Sequence, residues 1–372
     1  MLRLIDAASR PLLTTAFVLT LAVAGCGNSS SSDMGIPATD LAVSDLAAPH
    51  EPTDASLPID DGGTTDAAID ASVPVTDLAT TDLAKADLAT TDLAATSTNW
   101  MGAIPGTTNL AAISIPGSHD TGALFEDTPG ATKTQNLTVP DQLAAGIRYF
   151  DIRTRNVNNQ FDIYHLTVYQ NLSFATVLQD IATFLAANPT EAIIMSVKEE
   201  QPESGSSNTY EQTFDTYTAQ NPALWYLGAT IPTLDTVRGK IVLLRRFSAT
   251  TTPKGIDATV WSDNTTFSIN NGSAQLRIQD YYDVPNDDVK WTAITALLSE
   301  APTASASVFY INHTSAYEDA DGGLENIPNV SNVINPEVTS YFTTNTFGRY
   351  GAIVMDFVDT TKAALVIKTN FK

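Results

Sequence analysis

The chain contains four histidines among 372 residues, and one of them directly follows a turn sequence. The stretch 115–122 reads IPGSHDTG, so that His119 comes after a Pro-Gly pair and is followed by Asp120. An imidazole beside a carboxylate can transfer protons near neutral pH, because the carboxylate orients the ring and supports its charged form. Polar side chains in a turn can equally bond their own backbone, so other residues must decide between these interpretations.

Short apolar runs recur through the second part of the chain, and we interpret eight of them as strands. Most read as continuous hydrophobic segments, which is typical of a parallel sheet that is covered on both faces. The predicted strands lie near residues 111–115, 148–152, 161–165, 192–197, 240–245, 276–279, 308–311 and 352–355.

Amphipathic segments separate several of these runs. The segment SFATVLQDIATFLAANP predicts a helix, because its apolar residues share one helical face, Ser173 can cap the start, and Asn188-Pro189 stops it. Weaker helical patterns follow at 208–219, 287–299 and 336–345. Strands that alternate with helices predict an α/β fold, and eight of them predict a (β/α)8 barrel. We expect an irregular barrel, because only some of the crossovers look helical.

An ionisable side chain lies at the end of every predicted strand. In a parallel barrel the carboxyl ends of the strands meet at one face, and chemistry collects there. In strand order the residues are His119 with Asp120, Asp151 with Arg153, His165, Lys198, Arg245 with Arg246, Asp280 with Tyr282, His313, and Asp356. Two histidines, several carboxylates and several cations are therefore expected around one mouth of the barrel, which favours the functional interpretation of His119.

Two histidines with carboxylate partners and an arginine suit acid/base catalysis on a phosphodiester. One imidazole can take a proton from an attacking hydroxyl, while the other gives a proton to the leaving oxygen. A guanidinium can stabilise the charge on the phosphoryl oxygens.

Five segments, in this order, resemble the bacterial phosphatidylinositol-specific phospholipase C family over nearly all of residues 100–360. They are IPGSHDTG, QLAAGIRYFDIRTR, a strand that ends IYH, NPTEAIIMSVKEE and RGKIVLLRRF. The resemblance implies an irregular (β/α)8 barrel that cleaves phosphatidylinositol or a glycosyl-phosphatidylinositol anchor. The inositol 2-hydroxyl would be the internal nucleophile, and the products would be diacylglycerol and inositol 1,2-cyclic phosphate.

The same resemblance implies catalytic roles for five residues. His119 would be the general base, supported by Asp356. His165 would be the general acid, paired with Asp120, so that the two adjacent residues 119 and 120 would serve different halves of the proton relay. Arg153 would contact the phosphate.

The resemblance also implies a set of side chains that bind the inositol. Of the neighbours Arg245 and Arg246, only one should reach the pocket because successive strand residues point to opposite faces, and we favour Arg246. The predicted substrate-binding set is Asp151, Lys198, Arg246, Asp280 and Tyr282.

We expect no metal and no cofactor. In the calcium-dependent branch of the family, an acidic ligand and its calcium ion do the work of this arginine. Here Arg153 is a fixed cation that keeps its charge at working pH and would repel a calcium ion.

Three alternatives stay open. A glycerophosphodiester phosphodiesterase shares the barrel and the bond type, although its usual His-Arg-Gly strand and metal-binding carboxylates are not seen. The second alternative is a tethered barrel that binds a lipid or a glycan without catalysing a reaction. For His313, which has no counterpart role in the family, a hydrogen bond to a loop is favoured over a part in substrate binding.

The N-terminal segment predicts export. Arg3 and Arg10 precede an apolar run of fifteen residues, which fits a signal peptide at 1–25 and is short for a transmembrane helix. The run ends Val-Ala-Gly before Cys26, and this resembles the lipobox of bacterial lipoproteins, in which the cysteine is acylated. Cys26 is the only cysteine in the chain, so it has no intrachain disulfide partner. An ordinary secretory signal with an incidental cysteine is the alternative.

Residues 26–98 predict a disordered linker. Asp-Leu-Ala recurs six times there, the last four times with a period of five that matches neither a helix face nor a strand face. From residue 27 to 98 there are thirteen acidic residues and one basic residue, about half of the net charge of −23, and no aromatic residue. Repulsion among the carboxylates should keep this segment extended. Residues 99–372 remain for one catalytic barrel.

These features predict a monomeric, exported bacterial lipoprotein, anchored at the periplasmic face or the cell surface. Its expected partners are a membrane phospholipid or glycolipid, and its own membrane through Cys26. No nucleic-acid partner is expected. The loop 123–133 holds Phe125 but no tryptophan, whereas secreted members of the family often dock on lipid with exposed tryptophans, so we expect weaker or differently built interfacial binding.

Overall fold

The structure is a computed structural model that describes residues 97–320 and 324–372. The predicted signal peptide, Cys26 and all but the last two residues of the predicted linker lie outside the described residues. Those last two, Ser97 and Thr98, contact the barrel, because both of their carbonyl oxygens accept hydrogen bonds from Arg148.

The described residues form fourteen strands and seven α-helices, with short 3-10 helices between them. The strands are β1 Ile115–Ser118, β2 Tyr149–Val157, β3 Gln160–His165, β4 Val168–Ser173, β5 Ile193–Ser204, β6 Trp225–Tyr226, β7 Ile241–Arg246, β8 Ile256–Asp257, β9 Thr265–Asn270, β10 Gln275–Asp280, β11 Val308–His313, β12 Glu318–Ala320, β13 Leu324–Asn326 and β14 Ala352–Met355. The α-helices are α1 Val139–Ala145, α2 Phe174–Ala187, α3 Tyr210–Gln220, α4 Leu234–Val237, α5 Asp287–Glu300, α6 Ile327–Thr344 and α7 Thr360–Lys368.

A curled sheet of mainly parallel strands forms the irregular barrel that was predicted. Its strand order is β6-β7-β5-β2-β1-β14-β11-β10-β9. The neighbours pair in parallel from β6 to β10, β8 adds a short parallel pairing to β7, and β9 pairs antiparallel with β10. β3 and β4 form antiparallel hairpins off β2. Helices lie on the outside, so this is an α/β barrel in which the strands are unequal in length and direction.

Two strand predictions need correction. The run 111–115 is not a strand, because the Asn109 side chain accepts a hydrogen bond from the Ala111 amide and starts a 3-10 turn at Leu110–Ala112. The strand begins only at Ile115. The run 161–165 is a strand, but it is antiparallel to β2 rather than a parallel strand of the barrel. Asn158 and Asn159 both take positive φ values, 49° and 65°, and this two-residue turn sends the chain straight back.

The predicted helices are present. α2 begins after Ser173, whose hydroxyl accepts the Thr176 amide, and it ends before Asn188. Helices α3 and α5 match the weaker patterns, and α6 begins nine residues earlier than its pattern did. Sequence reasoning missed the shorter helices α1, α4 and α7.

The strands carry two apolar layers, one on each face of the sheet. Outward-facing side chains such as Phe150, Met195 and Leu243 pack against the helices. Alternate side chains such as Tyr149, Ile194 and Val242 belong to a second buried cluster on the inside of the curled sheet. Trp100 and Leu110 join that inner cluster, so apolar groups fill the barrel toward the amino ends of its strands. Polar inner side chains are then left for the carboxyl ends.

Gly351 joins the loop after α6 to β14, and it provides a test of how closely β14 and β11 approach. Its φ is +72°, and a Cβ would lie 2.2 Å from the Tyr310 carbonyl oxygen. We expect Gly351→Ala to destabilise the fold by about 1–3 kcal/mol for the clash, in addition to the strain of the positive φ. Gly272 is a matched control, since its φ is +82° and nothing lies within 4 Å of its added Cβ. Chemical denaturation of both variants measures the difference, and equal losses would show that the contact with Tyr310 is unimportant.

Candidate active site

The alternation of strand residues brings the predicted groups to one end of the barrel. On β2, Tyr149, Asp151 and Arg153 point to the same side as Ile194, Ser196 and Lys198 on the neighbouring β5, and the register pairs them in that order. On the other barrel strands, too, the inward-facing side chains are apolar near the start and polar toward the carboxyl end. We call the polar side chains at this end the upper row. The strands are staggered, so these residues are not all register partners, and His313 pairs with Val354 rather than with Asp356. The upper row consists of His119, Arg153, Lys198, Arg246, Asp280, His313 and Asp356.

A cavity of about 390 Å³ opens among the strand ends. Eight of the predicted site residues line it, namely His119, Arg153, His165, Lys198, Arg246, Asp280, Tyr282 and Asp356. The cavity is also lined by Leu166, Glu200, Trp261, Ser262, Asp263, Ala316, Tyr317 and Ile327. The fold therefore collects polar groups from β1, β2, β3, β5, β7, β10 and β14 around one space.

His119 lies between a carboxylate and a guanidinium. Its Nδ1 is 2.7 Å from Asp356 Oδ1, and its Nε2 is 2.7 Å from an amino group of Arg153. Because a guanidinium can only donate, Nε2 must accept, and the ring proton must lie on Nδ1 and point to Asp356. Burial lowers the pKa of His119 to about 4, with Arg153 adding to that effect and Asp120 opposing it. The ring is therefore neutral at neutral pH and presents a lone pair at Nε2.

His165 has a different set of partners. Its Nδ1 donates to the Thr132 carbonyl oxygen at 2.9 Å, and its Nε2 is 3.3 Å from Asp120 Oδ2. Both partners are acceptors, so this environment supports a protonated ring. Burial raises the pKa of Asp120 to about 7, although Arg153 opposes the rise. Asp120 can thus gain or lose a proton near neutral pH.

Asp120 serves both histidines. Its Oδ2 lies 3.3 Å from Nε2 of His119 as well as 3.3 Å from Nε2 of His165. The expected division, in which Asp120 belongs only to the half of the relay that contains His165, is therefore too simple. A backbone φ of +39° holds Asp120 in this position, and the Thr134 hydroxyl donates to its carbonyl oxygen. Aspartate tolerates this left-handed conformation better than most residues.

Arg153 is the cation at the centre of the cluster. Its Nε lies 3.0 Å from Asp120 Oδ1 and 3.1 Å from Asp151 Oδ2, and its Nη1 lies 3.8 Å from Glu200 Oε1. Burial alone would lower the pKa of Arg153, but Asp120 and Asp151 raise it well above its ordinary value. The guanidinium therefore stays charged at neutral pH.

The only group of His, Cys, Asp and Glu side chains within the described residues that could hold a metal is His119 with Asp120 and Asp151. The guanidinium of Arg153 bonds all three of these residues. A divalent cation among them would face a fixed positive charge at hydrogen-bond distance. The donor set therefore fits a guanidinium better than a metal ion.

Asp151 is not where the substrate-binding prediction put it. Its side chain is completely buried and lies one inner row below the cavity, where Arg153 and the Ser196 hydroxyl bond it. Although burial opposes ionisation, Arg153 and Arg246 lower the pKa of Asp151 far below its ordinary value. Asp151 therefore holds the two arginines from beneath instead of lining the space above them.

The two neighbouring arginines of β7 point in opposite directions, as their alternation requires. Arg246 lines the cavity, and its guanidinium lies 3.8 Å from the centre of the Trp261 ring. Arg245 points away and bonds the carbonyl oxygens of Lys254 and Phe247 and the carboxylate of Asp257. The structure thus places Arg246 in the wall, in agreement with the preference stated above.

Lys198, Asp280 and Tyr282 also lie in the wall, each with an acidic or aromatic partner. Lys198 Nζ is 2.7 Å from Glu200 Oε2, Asp280 Oδ2 accepts from Trp261 Nε1 at 2.8 Å, and the Tyr282 hydroxyl donates to Asp263 at 2.6 Å. Sequence reasoning missed these three partners. Glu200 stands two residues after Lys198 and could have been found from strand alternation, whereas Trp261 and Asp263 lie in a loop without a periodic signal.

Gln135 is another residue that sequence reasoning missed. It is completely buried, and its side-chain amide donates to the carbonyl oxygens of His119 and Met355, while its oxygen accepts the Val358 amide. It thereby joins the ends of β1 and β14, from which His119 and Asp356 project. Nothing in the local sequence around Gln135 marks this role.

The prediction for His313 was wrong. A hydrogen bond to a loop was favoured, but within residues 97–320 and 324–372 neither ring nitrogen has a hydrogen-bond partner. The ring is completely buried, and its edge contacts are with His119 and Trp261. His313 therefore belongs to the upper row of the site rather than to a loop.

Comparisons with known proteins identify the family of this chain. A family profile described as "Phosphatidylinositol-specific phospholipase C, X domain" matches residues 108–247. A 1-phosphatidylinositol phosphodiesterase of Staphylococcus aureus is 35% identical over 277 residues, which cover 70% of this chain and 88% of that protein. The chain belongs to the phosphatidylinositol-specific phospholipase C family.

Other members of the family cover the same part of the chain. A 1-phosphatidylinositol phosphodiesterase of Listeria monocytogenes is 33% identical over 288 residues, covering 74% of this chain and 86% of that protein. A solved structure of a phosphatidylinositol-specific phospholipase C variant from S. aureus superposes with a TM-score of 0.67 at 32% identity, over 74% of this chain and 98% of that one. The solved structure of the phosphatidylinositol-specific phospholipase C from L. monocytogenes superposes with a TM-score of 0.63 at 30% identity, over 74% of this chain and 100% of that one.

If His119 acts as a base, its contact with Asp356 predicts how kcat/KM depends on pH. Burial raises the pKa of Asp356 to about 7. As pH rises through this value Asp356 becomes a carboxylate and strengthens the basicity of His119, so kcat/KM should rise through an acidic limb near pH 7. We expect Asp356→Asn to lower kcat/KM by roughly 10²–10⁴-fold and to remove that limb. The rate of phosphatidylinositol cleavage in mixed micelles, measured across the pH range, tests both expectations.

Asp359 provides a matched control for this substitution. It lies three residues beyond Asp356, outside the cavity lining, and its carboxylate caps the start of α7. Asparagine is an equally good cap, so Asp359→Asn should keep the rate and the acidic limb of the wild type. An unchanged acidic limb in Asp356→Asn would assign the limb to another group.

Proposed function

We propose that the chain is a phosphatidylinositol-specific phospholipase C, which cleaves phosphatidylinositol to diacylglycerol and inositol 1,2-cyclic phosphate. The observation that carries the proposal is the placement of two differently partnered histidines on either side of Asp120, with Arg153 bonded to one of them, at the wall of one cavity. Membership of the family supports the same substrate, because its curated relatives are 1-phosphatidylinositol phosphodiesterases.

In the proposed reaction His119 is the general base. Its Nε2 lone pair takes the proton of the inositol 2-hydroxyl while that oxygen attacks phosphorus. Arg153 now donates to Nε2, and with substrate bound its amino groups turn to the phosphoryl oxygens and stabilise their growing charge. Asp356 holds the Nδ1 proton and stabilises the imidazolium that forms.

His165 is the proposed general acid. The bond from phosphorus to the diacylglycerol oxygen breaks, and Nε2 of His165 gives this oxygen its proton. The Thr132 carbonyl and Asp120 keep the ring protonated and oriented until then. Since His119 gains one proton and His165 loses one, the proton count of the site is unchanged, and hydrolysis of the cyclic phosphate in a second step would restore the starting states.

The remaining wall is suited to a polyhydroxylated ring. Lys198, Arg246 and Asp280 offer donors and acceptors to hydroxyl groups, and Tyr282 offers an aromatic face. Two nitrogens of Arg246, Nε and Nη1, are buried and make no hydrogen bond within the described part of the chain, although Nη1 lies within ion-pair distance of Asp151, at 3.6 Å. A sugar hydroxyl that reached Nε would satisfy a buried donor, whose lack of a hydrogen bond costs about 1–3 kcal/mol.

We also propose that catalysis needs no metal, because Arg153 bonds each residue of the one candidate metal cluster in the described residues. This argues against a glycerophosphodiester phosphodiesterase, which gathers carboxylates around a metal. A binding protein without catalysis is opposed by the two complete pairs of histidine and aspartate.

The test is phosphorus NMR of the full chain with phosphatidylinositol in detergent micelles and excess chelator. We expect the signal of a five-membered cyclic inositol phosphate to appear first. His119→Ala and His165→Ala should each lower the rate by at least roughly 10²–10⁴-fold, the usual contribution of a positioned acid or base. Tyr226→Phe, a change at a tyrosine outside the cavity lining, is the control and should react like the wild type.

Several outcomes would contradict the proposal. Absence of any cyclic product from a folded wild-type chain would favour another phosphodiester or a binding role. Restoration of activity only by added calcium would show that Arg153 has been misassigned. Substantial activity in either alanine variant would remove that histidine from the relay.

We propose that the protein contacts the membrane through apolar side chains at the rim of the cavity. Leu166 lies in the wall and is 36% exposed, and Phe125, whose amide bonds Gln170 on the adjoining β4, is 42% exposed. Apolar side chains at the mouth of a lipid-cleaving site can enter the interface while the headgroup enters the cavity. Free phosphatidylinositol and glycosyl-phosphatidylinositol present the same inositol phosphate to this wall.

We further propose that the chain is an exported, monomeric lipoprotein held to its membrane by acylated Cys26. No helix in residues 97–320 and 324–372 has the length and apolar character needed to cross a bilayer. The supporting observation is the lipobox-like run before Cys26, followed by an acidic linker of about seventy residues. One acyl signal gives only limited membrane affinity, so the rim and the anchor would act together.

Expression in a bacterial host tests the anchor. Cys26→Ser should move the protein from the membrane fraction to the soluble exported fraction, while Ser29→Ala in the same segment should leave it with the membranes. Mass spectrometry of the mature N-terminus should show an acylated cysteine in the wild type. Identical partitioning of the wild type and Cys26→Ser would favour the ordinary secretory signal.

A further inference from the structure

His313 is the one residue of the upper row to which the proposed reaction assigns no task. It ends β11, and the strand register places it beside Asp280, which ends the neighbouring β10. Alternation puts Phe309, Ile311 and His313 on the inner face, so His313 points inward above two apolar side chains. The fold thus puts a histidine in the same row as the catalytic and sugar-binding groups.

The His313 ring carries unsatisfied polar atoms. It is completely buried, and neither Nδ1 nor Nε2 has a hydrogen-bond partner in the described residues. A buried polar atom without a partner is costly, and such atoms in folded proteins usually have a task in a bound state. Its backbone, in contrast, is firmly held, because its carbonyl oxygen accepts from both Gln279 Nε2 and Lys290 Nζ at 2.7 Å.

One acceptor lies just beyond hydrogen-bond distance. Nδ1 of His313 is 3.9 Å from Asp280 Oδ1, whereas the other carboxylate oxygen, Oδ2, already accepts from Trp261 Nε1 at 2.8 Å. The Trp261 ring also stands edge-on to the His313 ring, at 6.0 Å and 89°. Asp280 therefore lies between two ring nitrogens. It is hydrogen-bonded to that of Trp261, whereas that of His313 is about 1 Å too far away for an ordinary hydrogen bond of about 2.9 Å.

The charge states suit a hydrogen bond between a neutral ring and a carboxylate. Burial lowers the pKa of His313 to about 4, with Asp280 opposing the shift. The pKa of Asp280 lies below its ordinary value, since burial is outweighed by His313, Arg246 and the Trp261 hydrogen bond. A neutral imidazole has one proton to give, and the nearby carboxylate favours its placement on Nδ1.

We propose that His313 is a positioning residue for Asp280, whose Oδ1 closes onto Nδ1–H of His313 when a polyol ring fills the cavity. This inference rests on the proposed function, in which Asp280 binds inositol hydroxyls. Held by Trp261 on one oxygen and by His313 on the other, the carboxylate presents its remaining lone pairs to the sugar. His313 itself touches no substrate, because its ring nitrogens are buried behind the wall.

Two substitutions separate this role from simple packing. His313→Phe fills the space between His119 and Trp261 but removes the donor, and His313→Asn keeps a nitrogen donor close to the position of Nδ1. With soluble inositol 1,2-cyclic phosphate as substrate, we expect His313→Phe to raise KM roughly tenfold, as for the loss of one hydrogen bond to a charged group, and to change kcat by less than about threefold. His313→Asn should recover most of the KM.

Ile311→Val controls for a general weakening of β11. Ile311 is completely buried two residues below His313 on the same face, and loss of one methyl group lowers stability without touching the cavity. It should leave KM unchanged. Equal KM values for His313→Phe and the wild type would overturn the proposal. Equal losses of kcat in His313→Phe and His313→Asn would also overturn it, because the ring would then act through its shape and not through its donor.

A second measurement does not need turnover or a folded variant. Nitrogen NMR of the histidine rings in the full wild-type chain reports which ring nitrogen carries the proton. We expect the Nδ1-protonated form for His313 and a shift of that nitrogen on adding myo-inositol. The inference would be overturned if the His313 proton were on Nε2 and the nitrogen shifts of the ring did not change on adding inositol. A wild type that turns over no inositol phosphate would refute the proposed function, while the position of the His313 proton would still be measured.

Discussion

Burial of several carboxylates around a single guanidinium is the constraint on which the site depends. Asp120 and Asp151 contact Arg153 directly, and Glu200 lies within ion-pair distance of it. Buried ions are costly unless they are paired, and removing one partner of such a pair typically costs about 3–5 kcal/mol. The site is therefore specified as a unit, in which loss of the central cation would leave buried anions uncompensated. That arrangement also fixes where Nε2 of His119 can lie, because Arg153 bonds it.

The barrel makes this cluster possible by separating apolar from polar rows. Two residues along a strand advance about 6.6 Å, so each inward-facing position forms a distinct layer. Tyr149 and Ile194 belong to the apolar interior, Asp151 lies in the layer above, and Arg153 reaches the cavity. Asp151 is completely buried and does not line the cavity, so its carboxylate contacts the arginines from beneath.

The same layering explains what sequence reasoning could predict. Apolar runs of four to six residues located most strands, and the residue type at each strand end located most of the wall. Strand alternation also separated Arg246 from Arg245, since it depends only on local geometry. Alternation does not report depth, however, so Asp151 and Arg153 looked equivalent although one lies a layer below the other.

Features that depend on long-range packing escaped prediction. Trp261 reaches Asp280 and Arg246 from a loop, and Gln135 joins the ends of two strands that are more than two hundred residues apart in the chain. Neither residue stands in a periodic pattern. The hairpin that carries His165 was read as a parallel strand, because an apolar run does not reveal the direction of its partner. His165 nevertheless reaches the site, since β3 folds back along β2.

The two histidines at the centre show how neighbours give one residue type two opposite tasks. In the proposed reaction one ring must begin neutral and the other protonated at the same pH. His119 receives a hydrogen bond from Arg153 at one nitrogen, which is possible only for the neutral ring. His165 faces a carbonyl oxygen at one nitrogen and a carboxylate at the other, and two acceptors favour the ring that has two protons. Asp120 lies 3.3 Å from Nε2 of both rings, so the difference between the proposed base and acid comes from Arg153, whose amino group is closer to Nε2 of His119, at 2.7 Å, and donates to it.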